Sequence, residues 1–247
     1  MVTGASCGLG AQLSVDLARA GATVYGLARN TERLEKLATD LRTFTPRSGT
    51  ITCDVADTAA LRQALEEVAA THGPVDLLVK NAAQDPGVRL VDITEEDFRH
   101  TFDVNFFAPV AASLAVLPAM LERGSGIVVN VSSDGGRLPS RSRGLSLLQG
   151  RLVRLHRVQL VPSRTQGGPR PRGVPAFMAT ELGLGALERG LRRPPRLTTR
   201  SVETVPRRIL ARAGGPALEI SVSSLIDAAM VFRSLLPRTY HRLRRHW

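Results

Sequence analysis

The sequence predicts a single α/β domain, folded as a doubly wound parallel sheet in three layers, α/β/α. Three observations predict this fold class. Apolar segments of strand length alternate with amphipathic segments of helix length through the first half of the chain. A glycine-rich turn lies between the first strand and the first helix. The length of 247 residues suits one buried core.

The alternating segments follow one another in order along the chain. The predicted strands are "MVT", "ATVYGLA", "TITCDVAD", "VDLLVKNAA" and "SGIVVNVSS". The predicted helices between them are "AQLSVDLARAG", a helix starting near "NTERL", "ALRQALEEVAATHG" and the long "EEDFRHTFDVNFFAPVAASLAVLPAMLERG". Strands that are separated by helices of a dozen residues or so form a parallel sheet.

Gly4, Gly8 and Gly10 lie in the turn between the first strand and the first helix. Glycines there let the backbone turn tightly and approach a pyrophosphate, whose charge the N-terminus of the helix stabilises. This arrangement is typical of a Rossmann-type dinucleotide-binding domain, provided that a strand follows the helix. The strand "ATVYGLA" follows at the expected distance.

The residue after the second strand indicates which dinucleotide binds. An acidic side chain there suits a ribose 2′-hydroxyl, whereas an arginine suits a 2′-phosphate. The sequence has Arg29, followed by Asn30 and Thr31, and no acid at the strand end. We therefore predict NADP(H) as the cofactor, with NAD(H) as the second candidate. A solvated arginine at a helix start is the alternative interpretation.

Five positions that suit ligand binding fall at the ends of predicted strands. The carboxyl ends of parallel strands meet at one edge of the sheet, where ligands of such folds bind. The sequence therefore predicts one site at this edge, and we expect no metal in it. The five positions are Gly4, Arg29, Asp54, Asn81 and Ser133.

Together these motifs resemble those of the short-chain dehydrogenase/reductase (SDR) family. "TGASCGLG" is similar to its cofactor loop and "CDVAD" to its adenine-contacting Asp-Val. "KNAA" resembles its Asn-Asn-Ala-Gly motif, from which Lys80 and Ala83 depart. "VNFF" carries the helix asparagine at Asn105 and "VNVSS" the catalytic serine at Ser133. "PAFMAT" resembles Pro-Gly-x-x-x-Thr, with Ala176 in the place of glycine.

The resemblance covers residues 1–138 and 175 to about 240. It implies an enzyme that transfers hydride between NADP(H) and a small alcohol or carbonyl substrate, and that forms homodimers or homotetramers. Its implied catalytic residues are Ser133 and Asn105. The cofactor-binding residues that we predict are Thr3, Gly4, Ser6, Gly8, Leu9, Gly10, Arg29, Asp54, Val55, Asn81 and Thr180.

Half of the catalytic tetrad of that family is missing. The family needs a tyrosine as general acid/base and, four residues later, a lysine that lowers the pKa of the phenol. Its usual spacing places these residues at Ser146 and Gly150, which do neither job. We therefore expect no dehydrogenase activity from this chain. The tyrosines and lysines of the sequence are Tyr25, Tyr240, Lys36 and Lys80.

The charge also changes abruptly near the missing motif. Residues 1–138, the predicted cofactor half, hold 12 basic and 17 acidic side chains. Residues 139–174 hold eight arginines, no lysine and no acid. Residues 175–247, the predicted substrate-side loop and C-terminal helices, hold 13 basic and five acidic side chains. A step of this kind marks a domain boundary, a disordered arm or a segment of foreign origin.

Three explanations for the aberrant middle segment remain open. The chain is a pseudoenzyme that binds a dinucleotide without turnover, or Ser133 and His156 support another chemistry, or the segment near residues 140–173 is frameshifted. A shift of one nucleotide lets Leu145–Ser146 encode tyrosine and Gln149–Gly150 encode lysine, restoring Tyr-x-x-x-Lys. We favour the frameshift because it also explains the excess of arginine.

Three further expectations concern the N-terminus, the cellular compartment and a membrane span. Only Met1 and Val2 precede Thr3, whereas a strand usually has about five or six residues, so we expect a missed upstream start. Two cysteines and no secretory leader favour the cytoplasm. The apolar run 106–121 is interrupted by Pro109 and Pro118, which favours a buried helix over a membrane span.

The C-terminal part gives two weaker predictions. "TTRSVETVPRRILARA" is predicted to be a helix with Val205, Ile209 and Leu210 facing inward. The tail "SLLPRTYHRLRRHW" suits a helix on an anionic membrane surface, but a solvated terminal helix is favoured. The net charge of +11 is compatible with nucleic acid, which we disfavour because no aromatic interleaving or known binding module accompanies it.

Overall fold

The computed structural model describes residues 1–86, 88 and 92–131, four short strands beyond them, and single residues between 204 and 239. The helices are α1 (Gly8–Arg19), α2 (Thr31–Phe44), α3 (Thr58–His72), α4 (Glu95–Phe102) and α5 (Ala108–Glu122). The strands are β1 (Val2–Thr3), β2 (Tyr25–Ala28), β3 (Gly49–Thr52), β4 (Leu77–Lys80), β5 (Ile127–Asn130), β6 (Arg172–Val174), β7 (Phe177–Met178), β8 (Thr199–Arg200) and β9 (Glu219–Ser221).

The first five strands form a parallel sheet in the order β3-β2-β1-β4-β5. Strand β1 is central: Val2 pairs with Gly26 of β2 on one side and with Val79 of β4 on the other. The short strands β6 and β9 pair with each other in parallel, as do β7 and β8. This topology, with helices between parallel strands, confirms the predicted α/β fold class.

Local sequence signals set where most of the helices begin. Asn30 accepts a hydrogen bond from the Arg33 N–H at 2.9 Å and so caps α2. Asp57 Oδ1 accepts from two N–H groups in the first turn of α3, both at 3.0 Å. Thr94 caps α4 by accepting from the Asp97 N–H at 3.1 Å. Each cap satisfies N–H groups that have no partner within their own helix.

The hydrophobic core has two clusters of buried side chains, one with α1 and α2 and the other with α3 and α5. Val205 and Ile209 belong to the first cluster and are 1% and 0% exposed. Their burial confirms the inward orientation predicted for these two residues, whereas Leu210 lies outside the described residues. The sheet is thus covered on both faces, as a parallel sheet requires.

The long helix predicted over residues 95–124 differs from the expectation because it is interrupted by a π-helical turn, Asp103–Phe107. The Ala108 N–H bonds to the Asp103 carbonyl, five residues back instead of four. Pro109 has no N–H to offer the carbonyl of residue 105, which explains why the α-helical ladder breaks there.

By length and composition alone, the helical stretch Glu95–Glu122 is long and apolar enough to cross a membrane. Core helices of globular domains meet the same criterion. Val116 and Met120 of α5 are buried in the cluster that includes Leu61 and Leu65 of α3, so one side of this stretch packs against the domain itself.

Candidate active site

The turn between β1 and α1 packs tightly against the segment that follows β4. Gly4 and Gly8 have φ values of 67° and 55°, in the left-handed region that favours glycine. A Cβ atom on Gly4 would lie 2.8 Å from the Ala82 Cα, and one on Gly10 would lie 2.2 Å from the Gly4 oxygen. The three glycines of the sequence motif are therefore required by the backbone and its neighbours.

Four hydrogen bonds hold this turn in place. The side-chain N–H₂ of Asn81 donates to the carbonyl oxygens of Thr3 and Gly4, both at 3.1 Å. In return, the Thr3 hydroxyl oxygen accepts from the Asn81 N–H at 3.0 Å and from the Ala82 N–H at 3.1 Å. Thr3 is 4% exposed, so these bonds are made away from bulk water, where leaving either partner unsatisfied is costly.

The N-terminus of α1 points its N–H groups at this turn. Its cap residue, Cys7, makes no side-chain capping hydrogen bond to the described residues, and the first turn of α1 contains no acidic side chain. The helix dipole there favours a negatively charged group. Leu9 and Val55 are 6% and 7% exposed with their side chains in the core, so only their main-chain atoms are available to a ligand.

A second group of predicted residues lies at the ends of β2 and β3. Arg29 follows β2 directly and Asp54 lies two residues beyond β3; Arg29 Nη1 is 3.9 Å from Asp54 Oδ2. Their side chains are 66% and 43% exposed, so the ion pair is loose and solvated. Asp54 Oδ1 also accepts from the Ala56 N–H at 3.0 Å. The Arg29 guanidinium therefore lies near Asp54 but stays accessible.

Asn105 lies in the π-helical turn and connects it to the segment after β4. Its Oδ1 accepts from the Gln84 N–H at 2.8 Å, and its Nδ2 donates to the Gln84 carbonyl at 2.7 Å. The side chain therefore makes one hydrogen bond to each polar group of the Gln84 main chain. Neither Gln84 nor the π-helical turn was predicted from sequence; Pro109, four residues after Asn105, was the available signal for the turn.

Lys80, which the sequence analysis noted only as a departure from a motif, is a buried cation at the end of β4. Its Nζ donates to the Ser113 hydroxyl oxygen at 2.6 Å and to the Pro109 carbonyl at 3.3 Å. Burial lowers the pKa of Lys80 to about 8. Its two acceptors lie near the start of α5, so this side chain joins the sheet to that helix.

The described candidates share one edge of the sheet. The register pairs Thr3 with Leu27 and Leu27 with Ile51, which aligns the carboxyl ends of β1, β2 and β3. Each described candidate either follows the end of a strand or contacts a residue that follows one. These candidates are the turn with Gly4 and Gly10, the Arg29–Asp54 pair, Asn81 and Asn105. Ser133 and Thr180 lie outside the described residues.

Sequence comparisons extend these observations. The short chain dehydrogenase family model matches residues 1–144. Dehydrogenase/reductase SDR family member 7B of Bos taurus is 36% identical over 150 residues, which covers 58% of this chain and 46% of the relative. The NADPH-dependent pterin aldehyde reductase of Arabidopsis thaliana is 33% identical over 138 residues, covering 56% of this chain and 57% of the relative. The chain thus matches about half the length of these relatives.

Structural comparisons agree with the fold. A short-chain dehydrogenase from Streptomyces avermitilis is similar with a TM-score of 0.76 and 25% identity, covering 99% of this chain and 96% of that one. An actinorhodin polyketide ketoreductase solved with NADPH has a TM-score of 0.78 at 22% identity, covering 91% and 95%, and supports the fold alone. Since the family model matches more than half of its residues, the chain belongs to the short-chain dehydrogenase/reductase family of oxidoreductases.

Proposed function

We propose that this chain binds NADP(H) along the edge formed by the ends of β1–β4. We also propose that its reaction, when the catalytic motif is complete, is hydride transfer between NADP(H) and a small alcohol or carbonyl compound. One observation carries the proposal. The acid-free N-terminus of α1 and the accessible Arg29 guanidinium provide two anion-binding positions at the same edge of the sheet.

The residues at this edge fit a phosphorylated dinucleotide. The N–H groups at the start of α1, near Gly8 and Ser6, suit the pyrophosphate because no carboxylate competes for them there. Arg29 suits the 2′-phosphate, since its guanidinium forms strong charge-assisted hydrogen bonds with phosphate oxygens. Asp54 suits the adenine amino group as an acceptor. When bound, the cofactor supplies or accepts the hydride; the protein holds and orients it.

Related proteins that use or bind NADPH support the choice of NADP(H). The Arabidopsis thaliana relative is an NADPH-dependent reductase, and it acts on a pterin aldehyde. Of the solved structures, the polyketide ketoreductase contains NADPH, and an L-sorbose reductase from Gluconobacter frateurii contains NADPH and L-sorbose. These substrates differ from one another, so we propose only the class of carbonyl compounds for this chain.

The proposed catalytic residues are Ser133, as the group that orients the carbonyl, and Asn105, as part of the proton path. The tyrosine and lysine that would complete them are absent from the sequence. The family model stops at residue 144, close to the charge step at residue 139. This coincidence supports a frameshifted segment, and we propose that the chain in its present form is inactive. A dinucleotide-binding pseudoenzyme is the second candidate, favoured if the coding sequence is intact.

Three measurements test these proposals. The nucleotide sequence across residues 135–176 is expected to contain two compensating insertions or deletions. Calorimetric titration of the chain is expected to give NADPH binding tighter than NADH binding, without NADPH oxidation when aldehydes or ketones are added. The frame-restored protein is expected to oxidise NADPH with such a carbonyl. Intact coding with NADPH binding and no turnover would support the pseudoenzyme, and no binding of either dinucleotide would refute both.

For assembly, we propose a homodimer or homotetramer that uses the outer face of α5. Leu114 and Leu121 are 59% and 61% exposed, and Phe107 in the preceding turn is 50% exposed. Large apolar side chains that share a helix face in this way are typical of protein interfaces. Sedimentation of the chain and of a Leu114→Glu variant tests this: the variant is expected to be monomeric, and a monomeric parent chain would refute the proposal.

A further inference from the structure

The lysine at the end of β4 is unusual because it is buried without a carboxylate partner. Lys80 is 9% exposed, and among the described residues no ion pair includes it. A cavity of about 10 Å³ lies beside it, lined on the other sides by uncharged residues, Thr3, Val55, Leu61 and Ala82 among them. A buried cation without an anion destabilises a fold, so its presence calls for a role other than core packing.

The contacts of Lys80 define what it connects. Its Nζ donates to the Ser113 hydroxyl and to the Pro109 carbonyl, and the Ser113 hydroxyl itself donates to the same carbonyl at 2.8 Å. Pro109 lies in the first turn of α5, immediately after the π-helical turn. The ammonium thus bridges two acceptors at the point where the π-helical turn ends and α5 begins.

The residues that follow Lys80 hold the rest of the site. Asn81 binds the two carbonyls at the start of the cofactor turn, and Gln84 binds the side chain of Asn105. The segment of residues 80–84 therefore contacts the cofactor turn at one end and the π-helical turn at the other. Lys80 joins this segment to α5 through the hydrogen bonds of its side chain.

We propose that Lys80 is a positioning residue of the cofactor site, whose ammonium fixes the start of α5 against residues 80–84. In this way it holds Asn81 at the cofactor turn and Asn105 at Gln84 in one arrangement. This inference rests on the proposed function, since it concerns the same dinucleotide site. Hydrogen bonds from an ionised donor are about twice as strong as neutral ones, so the arrangement depends on the proton.

The pH at which that proton is lost lies within reach of experiment. Burial lowers the pKa of Lys80 to about 8. The ionisable side chains on the elements packed around it are Asp54 and Asp57 beyond β3, Arg62, Glu66, Glu67 and His72 on α3, Asp103 in the π-helical turn and Glu122 at the end of α5. None of them pairs with Lys80 among the described residues. Cys53 keeps its proton over this range more firmly than an ordinary thiol, because burial, and then Asp54 and Asp57, raise its pKa.

The experiment measures the Kd for NADPH by calorimetry between about pH 7 and about pH 9.5, for the full chain and for two variants. Lys80→Met keeps the apolar stem and removes the amine. Lys36→Met is the matched control, because Lys36 is the other lysine and its exposed ammonium pairs with Glu32 at 2.9 Å.

The full chain and Lys36→Met are expected to lose about tenfold in NADPH affinity as the pH rises through the range. Lys80→Met is expected to bind about tenfold more weakly at about pH 7 and to show no such pH dependence. Its melting temperature is expected to be unchanged or higher, which a purely structural role would not give. Equal affinity at about pH 7, or the same pH curve in Lys80→Met, would overturn the proposal.

Failure of the proposed function would give a different result, namely no NADPH binding by the full chain at any pH. The positioning role is then decided without a cofactor, by hydrogen exchange at the Gln84 amide. Its protection factor is expected to fall with rising pH in the full chain and to be low and constant in Lys80→Met. Protection that is the same in both proteins would overturn the inference about Lys80.

Discussion

The binding edge has two parts that are built in different ways. Around β1 and β4, the turn with Gly4 and Gly10 packs closely against Asn81, and four partly buried hydrogen bonds of about 3 Å join Thr3 and Gly4 to Asn81 and Ala82. Around β2 and β3, Arg29 and Asp54 face solvent and are joined by one contact of 3.9 Å. Packing and buried hydrogen bonds fix the first part, whereas the second depends on charges in water, where an ion pair contributes about 0–1 kcal/mol.

This contrast predicts that changes in the buried part alter the fold and changes in the exposed part alter the choice of cofactor. We expect the largest effect at Gly10. In Gly10→Ala the new methyl group would lie 2.2 Å from the Gly4 oxygen and 2.5 Å from the Asn81 Nδ2, so the backbone must move. The free energy of unfolding is expected to fall by at least about 3 kcal/mol, measured by urea denaturation, with loss of NADPH binding.

Gly21→Ala is the matched control for that change. Gly21 has a φ of 89°, but nothing lies within 4 Å of its missing Cβ. Only backbone strain acts there, and a loss of about 1 kcal/mol is expected. If Gly10→Ala and Gly21→Ala lowered the free energy of unfolding equally, close packing would not be what fixes the buried part of the edge.

The next effect concerns the pH dependence of stability at Lys80. The pKa of this lysine falls from 10.5 to about 8 on folding, so between these values the unfolded chain binds more protons than the native one. Stability therefore rises as the pH increases from about 8 to about 10.5, by roughly 2–3 kcal/mol from this group. Urea denaturation of the chain and of Lys80→Met at several pH values measures the difference. If the free energy of unfolding changed with pH in the same way in both proteins, Lys80 would not be titrating in this range.

A smaller loss is expected when the amide of Asn81 is removed. Asn81→Ala deletes the two hydrogen bonds to the Thr3 and Gly4 carbonyls, which is expected to cost about 2 kcal/mol of stability. Asn30→Ala, the comparable change in the exposed part, removes only the cap of α2 and is expected to cost about 1 kcal/mol. If Asn30→Ala lost more stability than Asn81→Ala, the buried part of the edge would not contribute more to stability than the exposed part.

The buried part of the edge was the easier to predict from sequence. Glycine spacing, strand ends and the asparagine after β4 each report a backbone requirement, and such requirements are local. The partners of these residues were harder to predict. The bonds from Asn81 to Thr3 and Gly4 span nearly 80 positions; the sequence predicted that Gly4 and Asn81 share an edge of the sheet, but not which of their atoms bond.

Interruptions and buried charges were not predicted. Pro109 was the signal for an interruption in Glu95–Glu122, but a proline does not specify a π-helical turn, which the Ala108 N–H to Asp103 carbonyl bond shows. Lys80 looked like a defect in a motif because a sequence does not show that its ammonium meets Ser113, 33 residues away. The composition step at residue 139 was plain in the sequence, but amino-acid patterns alone do not distinguish its possible causes.

The last prediction addresses the exposed part of the edge. Arg29→Asp is expected to weaken NADPH binding because it replaces the proposed partner of the 2′-phosphate with a repelling carboxylate, next to Asp54. NADH, which lacks that phosphate, is expected to bind as well as before or better, so the ratio of the two Kd values changes by about 10- to 100-fold. Stability is expected to change by less than about 1 kcal/mol, because the side chain is solvated.

Arg19→Asp, at the C-terminal end of α1 and therefore at the opposite edge of the sheet, makes the same change in net charge. Arg19→Asp is expected to leave the ratio of the Kd values for NADPH and NADH unchanged. This control separates recognition by Arg29 itself from the overall electrostatic field of the protein. If both variants shift the ratio equally, the field is responsible. If neither does, Arg29 is a solvated residue at the start of α2, and the discrimination between cofactors must come from residues beyond this edge.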